Sequence, residues 1–210
     1  MQDLREFVAG FQRFQKNYFH GDNTLFKVLR QGQNPRALVI ACCDSRADPA
    51  LIADCSPGDM FVIRNVANLV PPHCPDQNCH GVSSAIEYAV RDLQVEHIVV
   101  LGHSHCGGIN ALMHPTEQVK HSQFVSTWMS IADRAKERVL EELPNASPEE
   151  QQRACELGSI LISLENLMSF PWIAERVDKE NLCIHGCYFD MECGTLYAYS
   201  PRQSAFVKVV

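Results

Sequence analysis

Two apolar runs without polar alternation constrain this chain more than any other feature: RALVIAC at 36–42 and HIVVLG at 97–102. A strand with one wet face alternates, whereas a strand covered on both faces does not, and such strands belong to parallel sheets. MFVIRNVA at 60–67 reads as a further strand, and VSSAIEYAVRDL at 82–93 sets Ile86, Ala89, Val90 and Leu93 along one side of a helix. Strands alternating with helices predict an α/β fold with a mainly parallel central sheet flanked by helices. At 210 residues the expectation is a single domain spanning residues 1–210.

The remaining segments fit around that sheet. Leu4, Phe7, Val8, Phe11 and Phe14 form an apolar stripe over residues 3–18, expected to pack in the core or on a second subunit. GDN at 21–23 ends this helix and opens a short one through Leu29, which QGQNP stops. Helices are predicted at 107–113 and 122–142. Another begins at SPEE, where Ser147 caps, Pro148 takes the first turn and Glu150 completes a capping box. Its stripe of Ala154, Leu157, Leu161, Leu164 and Leu167 is assigned to the core. LCIHGCYFD (182–190) and TLYAYS (195–200) form a C-terminal strand pair turning around Glu192–Gly194, with AFVKVV as an extension.

Composition narrows the function classes. A net charge of -7 with no run of Lys or Arg argues against nucleic acid as a partner. No apolar stretch approaches the length that spans a bilayer. A chain this long needs no covalent staples, so its ten cysteines are surplus to folding. The opening MQDLREFVAGFQRF lacks the apolar centre of a secretory signal, and a cytoplasmic location is expected, where cysteines more often bind metal or react.

In open α/β sheets, ligands bind beyond the carboxyl ends of the strands. ALVIAC runs into CCDSR, and HIVVLG runs into HSHC, so both runs end in metal-capable residues. Alternate residues of an extended segment share a side, which pairs Cys42 with Asp44 and turns Cys43 away. On an incipient helix, positions three apart share a face, which pairs His103 with Cys106 and rotates His105 off. A helix start at Cys106 also favours its thiolate. Two thiolates and an imidazole select zinc, and three protein ligands with a free fourth position mark a catalytic site. Asp44 could close that position, but Arg46 can hold it in a bidentate pair, leaving the fourth place to water with a lowered pKa. Asp44 could then accept the nucleophile's hydrogen, and Gly107 and Gly108 admit close backbone approach.

Cys42, Asp44, Ser45 and Arg46 as C-x-D-S-R, with His103 and Cys106 as H-x-x-C, resemble the β-class carbonic anhydrases. PGDMFVIRNVANLVPP (57–72), HGVSSAIEYAV (80–90) and the segment from His185 to Asp190 are similar to plant and cyanate-operon-like bacterial members. The resemblance implies reversible hydration of carbon dioxide to bicarbonate on one zinc per chain, with Cys42, His103 and Cys106 as ligands and Asp44 with Arg46 as the orienting dyad. It also implies a carbon dioxide pocket of Gln33, Phe61, Val66 and Tyr88, some reaching across a dimer interface. A homodimer or higher homo-oligomer is implied, with the N-terminal helices on the partner. Val39 and Phe189 stand where a second subgroup has the Trp and Tyr of an inhibitory bicarbonate site, so an open site is expected. Asp92 replaces a proton-shuttle His of some plant members.

Other clusters read as bland. His73, Cys74, Cys79 and His80 suit a surface loop, because adjacent His–Cys pairs aim poorly at one tetrahedral centre. Cys183, His185, Cys187 and Cys193, with Cys43, Cys55 and Cys155, are assigned to packing. His20, His97, His114 and His121 are assigned to solvent or local bonds. Two rival functions share the zinc motif: hydrolysis of a carbon dioxide analogue such as carbonyl sulfide or carbon disulfide, and a non-catalytic zinc-binding module closed by Asp44.

Overall fold

The computed structural model describes residues 4–20, 25–76 and 78–210. These fall into two compact units, one within residues 1–34 and one from residue 35 to 210. The first holds α1 (Leu4–Phe19) and α2 (Leu25–Leu29). Phe14 centres an aromatic cluster, its ring 4.9 Å from Tyr18, 5.9 Å from Phe19 and 5.5 Å from Phe26. The stripe of Leu4, Phe7, Val8 and Phe11 is exposed, and no residue of α1 is buried. The GDN boundary at 21–23 lies outside the described residues.

The larger unit runs β1 (Ala37–Cys42), α3 (Pro49–Ile52), β2 (Met60–Asn65), α4 (Gly81–Glu87), β3 (His97–His103) and α5 (Gly107–Met113). Then follow α6 (Glu117–Lys120), α7 (Val125–Met129), α8 (Asp133–Glu142), α9 (Pro148–Met168), α10 (Pro171–Asp178), β4 (Cys183–Asp190), β5 (Thr195–Ser200) and β6 (Ala205–Lys208). The strands form one sheet in the order β2-β1-β3-β4-β5-β6. The first four are parallel, and β5 and β6 add antiparallel at one edge.

One face of the sheet presents Leu38, Ile40, Ile98, Val100 and Tyr188 to Ile160, Leu167, Phe170 and Ile173 of the helical layer. The other presents Val39, Ala41 and Leu101, flanked by the partly exposed Met60, Val99, Cys187 and Phe189. Coverage on both faces therefore holds best for β1, between β2 and β3, and is weaker at β2 and β4. The capping box of Ser147 and Glu150 forms as predicted. The fully buried side of α9 is Cys155, Glu156, Ser159, Ile160, Ile162, Ser163 and Leu167; of the expected stripe, Leu167 is buried, Ala154, Leu157 and Leu164 are half-buried and packed against the core, and Leu161 is half-buried. Glycines on the sheet make room for the helix: a Cβ on Gly102 would come within 2.7 Å of Ile160, and one on Gly186 within 2.8 Å of Ile160 and 3.0 Å of Leu164. The expected helix over 122–142 is broken at Ser130–Ala132, where Ser130 turns its hydroxyl back to Thr127 O at 2.8 Å, a bond that bends helices. A short helix at α10 and the one-turn α3 were not expected. Past Glu87 the helix widens to a π turn over Tyr88–Asp92.

Candidate metal centre

β1 and β3 lie side by side and point the same way, so their carboxyl ends deliver Cys42 and His103 to one spot. His103 is the last residue of β3, and Cys106 is the N-cap of α5. The incipient-helix geometry expected for 103–106 does not occur. The chain turns instead through His105 at φ 56°, a left-handed conformation, and Cys106 is extended. That reversal brings Cys106 back toward Cys42 and leaves the His105 side chain outside, on Glu192 at 2.8 Å. The pairing expected of His103 with Cys106 holds; its cause is a turn.

Cys42, His103 and Cys106 are buried, with their ligand atoms all within 4.8 Å of one another. The two sulfurs are 4.0 Å apart. A tetrahedral zinc at about 2.3 Å from each sulfur needs them about 3.8 Å apart. His103 Nδ1 lies 2.9 Å from Ser104 O, and donation to that carbonyl commits the imidazole proton to Nδ1. Its Nε2 is left buried with no hydrogen-bond partner, a lone pair waiting for a cation. Without metal, Cys42 is pushed down to about 4, chiefly by the hydrogen bond from the Cys106 thiol. The same contact with Cys42 drives Cys106 up, outweighing the N–H groups of Gly108 and Ile109 that favour its thiolate. The close pair therefore loses its first proton readily and holds its second firmly, and metal binding must displace the second.

Asp44 sits beside this set but is turned from it. Its Oδ1 accepts from Arg46 N and Nε, both at 2.9 Å, and its Oδ2 accepts from Arg46 NH2 at 2.7 Å. Those hydrogen bonds hold the Asp44 carboxyl well below the usual carboxylate range. Arg46 also donates to His105 O at 3.1 Å, tying the two ligand-bearing loops together.

The carbonic anhydrase family model matches residues 37–196. The chain belongs to the β-class carbonic anhydrases. It is 39% identical over 190 residues to β carbonic anhydrase 3 of Arabidopsis thaliana, covering 89% of this chain and 73% of that one. The β-carbonic anhydrase CcaA superposes with a TM-score of 0.91 at 33% identity, over 98% of this chain and 99% of its own. A tetrameric β-carbonic anhydrase from Sordaria macrospora gives 0.84 at 29% identity, over 99% and 98%. Zinc is the cofactor of this class, and the donor set, sulfur spacing and orphaned Nε2 all fit it.

The enzyme does not gather every expected site residue at its metal. Phe61 and Tyr88 pack together, ring centroids 5.9 Å apart, but Phe61 pairs with Leu38 in β1 while Asn65 pairs with Cys42. Four strand residues span about 13 Å, so Phe61 stands well back from Cys42 along the sheet, with Tyr88 packed on it. Val66 follows β2 directly and is partly exposed. Gln33 belongs to the N-terminal unit and is exposed. The open surroundings of Gly107 fit close approach. At Gly108 the approaching group is the protein itself: a Cβ there would meet Val66 at 2.8 Å and Ala67 at 3.1 Å. Val39 and Phe189 lie on one face of the sheet, as part of its apolar packing.

Two supporting residues escaped sequence reasoning. Arg64 donates to Cys42 O at 2.9 Å, Asp44 O at 2.6 Å and Asp48 Oδ2 at 2.8 Å, clamping the first ligand loop. Glu156, 3% exposed, accepts from Cys106 N at 2.9 Å and Tyr188 OH at 2.8 Å, holding the second. Arg64 was visible as a charge inside an apolar strand, and Glu156 as a charge inside a helix otherwise read as core. The bland readings hold at residues 73–80, where Cys74 and Cys79 are exposed and His80 bonds Asp76 at 2.6 Å. Cys43, Cys183 and Cys193 are exposed, which corrects their assignment to packing.

Proposed function

We propose that this chain hydrates carbon dioxide reversibly to bicarbonate and a proton at a zinc held by Cys42, His103 Nε2 and Cys106. The observation that carries this reading is the pairing of an orphaned, buried imidazole nitrogen with an acid that Arg46 holds back. Zinc supplies the Lewis acidity that makes a nucleophile from water near neutral pH. The protein's own contribution is orientation. Asp44 Oδ1 is saturated by two donors, while Oδ2 accepts one and keeps a lone pair, which takes the hydrogen of the incoming water and aims its oxygen at the substrate. Arg46 keeps this acceptor ionised and keeps it off the metal.

An uncharged substrate needs an apolar wall. Val66, beside Asn65 at the level of Cys42, supplies part of it from the same chain. Phe61, Tyr88 and Gln33 are assigned to the metal of a second copy, which places the working site at a homodimer interface. The open stripe of α1 supports that assembly, because Leu4, Phe7, Val8 and Phe11 want an apolar partner. A tetrameric relative supports further association. Residues 1–210 are read as one catalytic domain in a reducing, cytoplasmic setting, which its ten free cysteines suit. Among the described residues no single helix is long and apolar enough to cross a membrane.

The test is stopped-flow carbon dioxide hydration beside zinc analysis. About one zinc per chain and a rate that rises with pH through the pKa of bound water, about 7, are expected. Zinc-loaded protein inert at alkaline pH would sink the reading. Activity confined to carbonyl sulfide or carbon disulfide would move the substrate to a sulfur analogue. A permanently closed, non-catalytic zinc module is disfavoured by the restraint Arg46 places on Asp44.

A further inference from the structure

At the opposite end of β3 from the zinc ligands, the sheet assembles a second donor set. His97 opens β3 and Cys183 opens β4, and the two stand directly across from one another in the parallel register. His185 lies two residues along β4, so its side chain shares their face. The ligand atoms of His97, Cys183 and His185 all fall within 4.8 Å of one another. His97 Nδ1 and His185 Nε2 are 3.3 Å apart. Two nitrogens held at about 2.0–2.1 Å by a tetrahedral zinc stand about 3.3–3.4 Å apart. A hydrogen bond between the imidazoles explains their nearness but not the thiol beside them.

The backbone under this set is fixed. His97 N donates to Arg36 O at 3.1 Å, and Cys183 N donates to Glu96 O at 2.9 Å, so both strand starts are pinned. Cys183 and His185 are exposed and His97 is half-buried, which leaves an approach for an ion and a place for water beside it. Six residues separate His97 from His103 along β3, about 20 Å, so the two sets cannot share an ion.

We propose that His97, Cys183 and His185 form a second site for a borderline divalent ion of the zinc class, separate from the catalytic one. One thiolate with two imidazoles selects zinc or cobalt over magnesium and calcium. The site is built by strand register, on rigid elements, with its fourth position open to solvent.

The experiment titrates zinc-loaded enzyme, already carrying its catalytic ion, with Co2+. A second equivalent per chain should bind with a thiolate-to-cobalt absorption band. Cys183→Ser should abolish that band, and His185→Ala should weaken the second equivalent at least tenfold. Both variants should keep carbon dioxide hydration and the first zinc, which shows that the fold and the catalytic site are intact. Uptake that stops at one ion per chain overturns the proposal. So does a second equivalent that binds both variants as tightly as it binds the parent.

Discussion

Replacing Glu156 by Ala tests whether the second ligand loop is held by the helix beneath it. Glu156 accepts from Cys106 N–H, from the Tyr188 hydroxyl and, at 3.0 Å, from Gln152 Nε2. Gln152 is half-buried and can turn to solvent. Cys106 and Tyr188 cannot, being 1% and 0% exposed. Each donor left unsatisfied in such a place costs about 1–3 kcal/mol, so Glu156→Ala should lose about 2–6 kcal/mol before any cavity is counted. Urea unfolding of zinc-loaded protein measures that loss. Competition against a chromophoric chelator measures metal retention, and an outer partner of a metal ligand is worth about 10–100-fold in affinity. Tyr188→Phe removes one of the two stranded donors. The double variant should therefore be about 1–3 kcal/mol more stable than the sum of the single losses. A loss under about 1 kcal/mol with unchanged zinc affinity would refute the reasoning, as would strict additivity of the two substitutions.

Asp44→Asn should keep zinc and cut turnover by about 10²–10⁴-fold, because the amide has one acceptor oxygen where the carboxylate has two and cannot both pair with Arg46 and accept from the nucleophile; equal loss of zinc would make Asp44 a ligand. Gly108→Ala places a methyl 2.8 Å from Val66 and 3.1 Å from Ala67, and should cost about 1–3 kcal/mol in thermal unfolding while displacing the start of α5 that carries Cys106. Asp190 provides a pH test. Burial pushes its carboxyl up, but Arg153 at 2.8 Å and the Glu192 N–H outweigh burial and hold it below its ordinary value. A depressed carboxylate contributes stability above its unfolded pKa of about 4, and that contribution is lost as pH falls through the lower folded value. Urea midpoints measured between about pH 6 and pH 3 should therefore fall less steeply for Arg153→Gln than for the parent; parallel curves would count against the pair.

The sequence by itself determined the parts of this protein that depend on short range. Unalternating runs at 36–42 and 97–102 specify buried parallel strands, because the side-chain period of a strand is two residues. The end of each run also carries the metal-capable residues, since C-x-D-x-R and H-x-x-C set donors within a few residues of a strand end. Tertiary structure alone decided which distant groups meet them. Glu156 reaches Cys106 across fifty positions, and its being buried follows from the rotation of α9 against the sheet, which leucine spacing does not resolve. His97 and His185, both read as unremarkable, meet Cys183 because β3 and β4 pair in one particular register. Phe61 lies away from Cys42 because it sits near the other end of β2, and Tyr88, from the π turn, packs on Phe61. Periodicity tells which side of an element faces inward to within a residue or so. Register and helix rotation come from packing the whole layer, so contacts between distant elements become legible only once that packing is known.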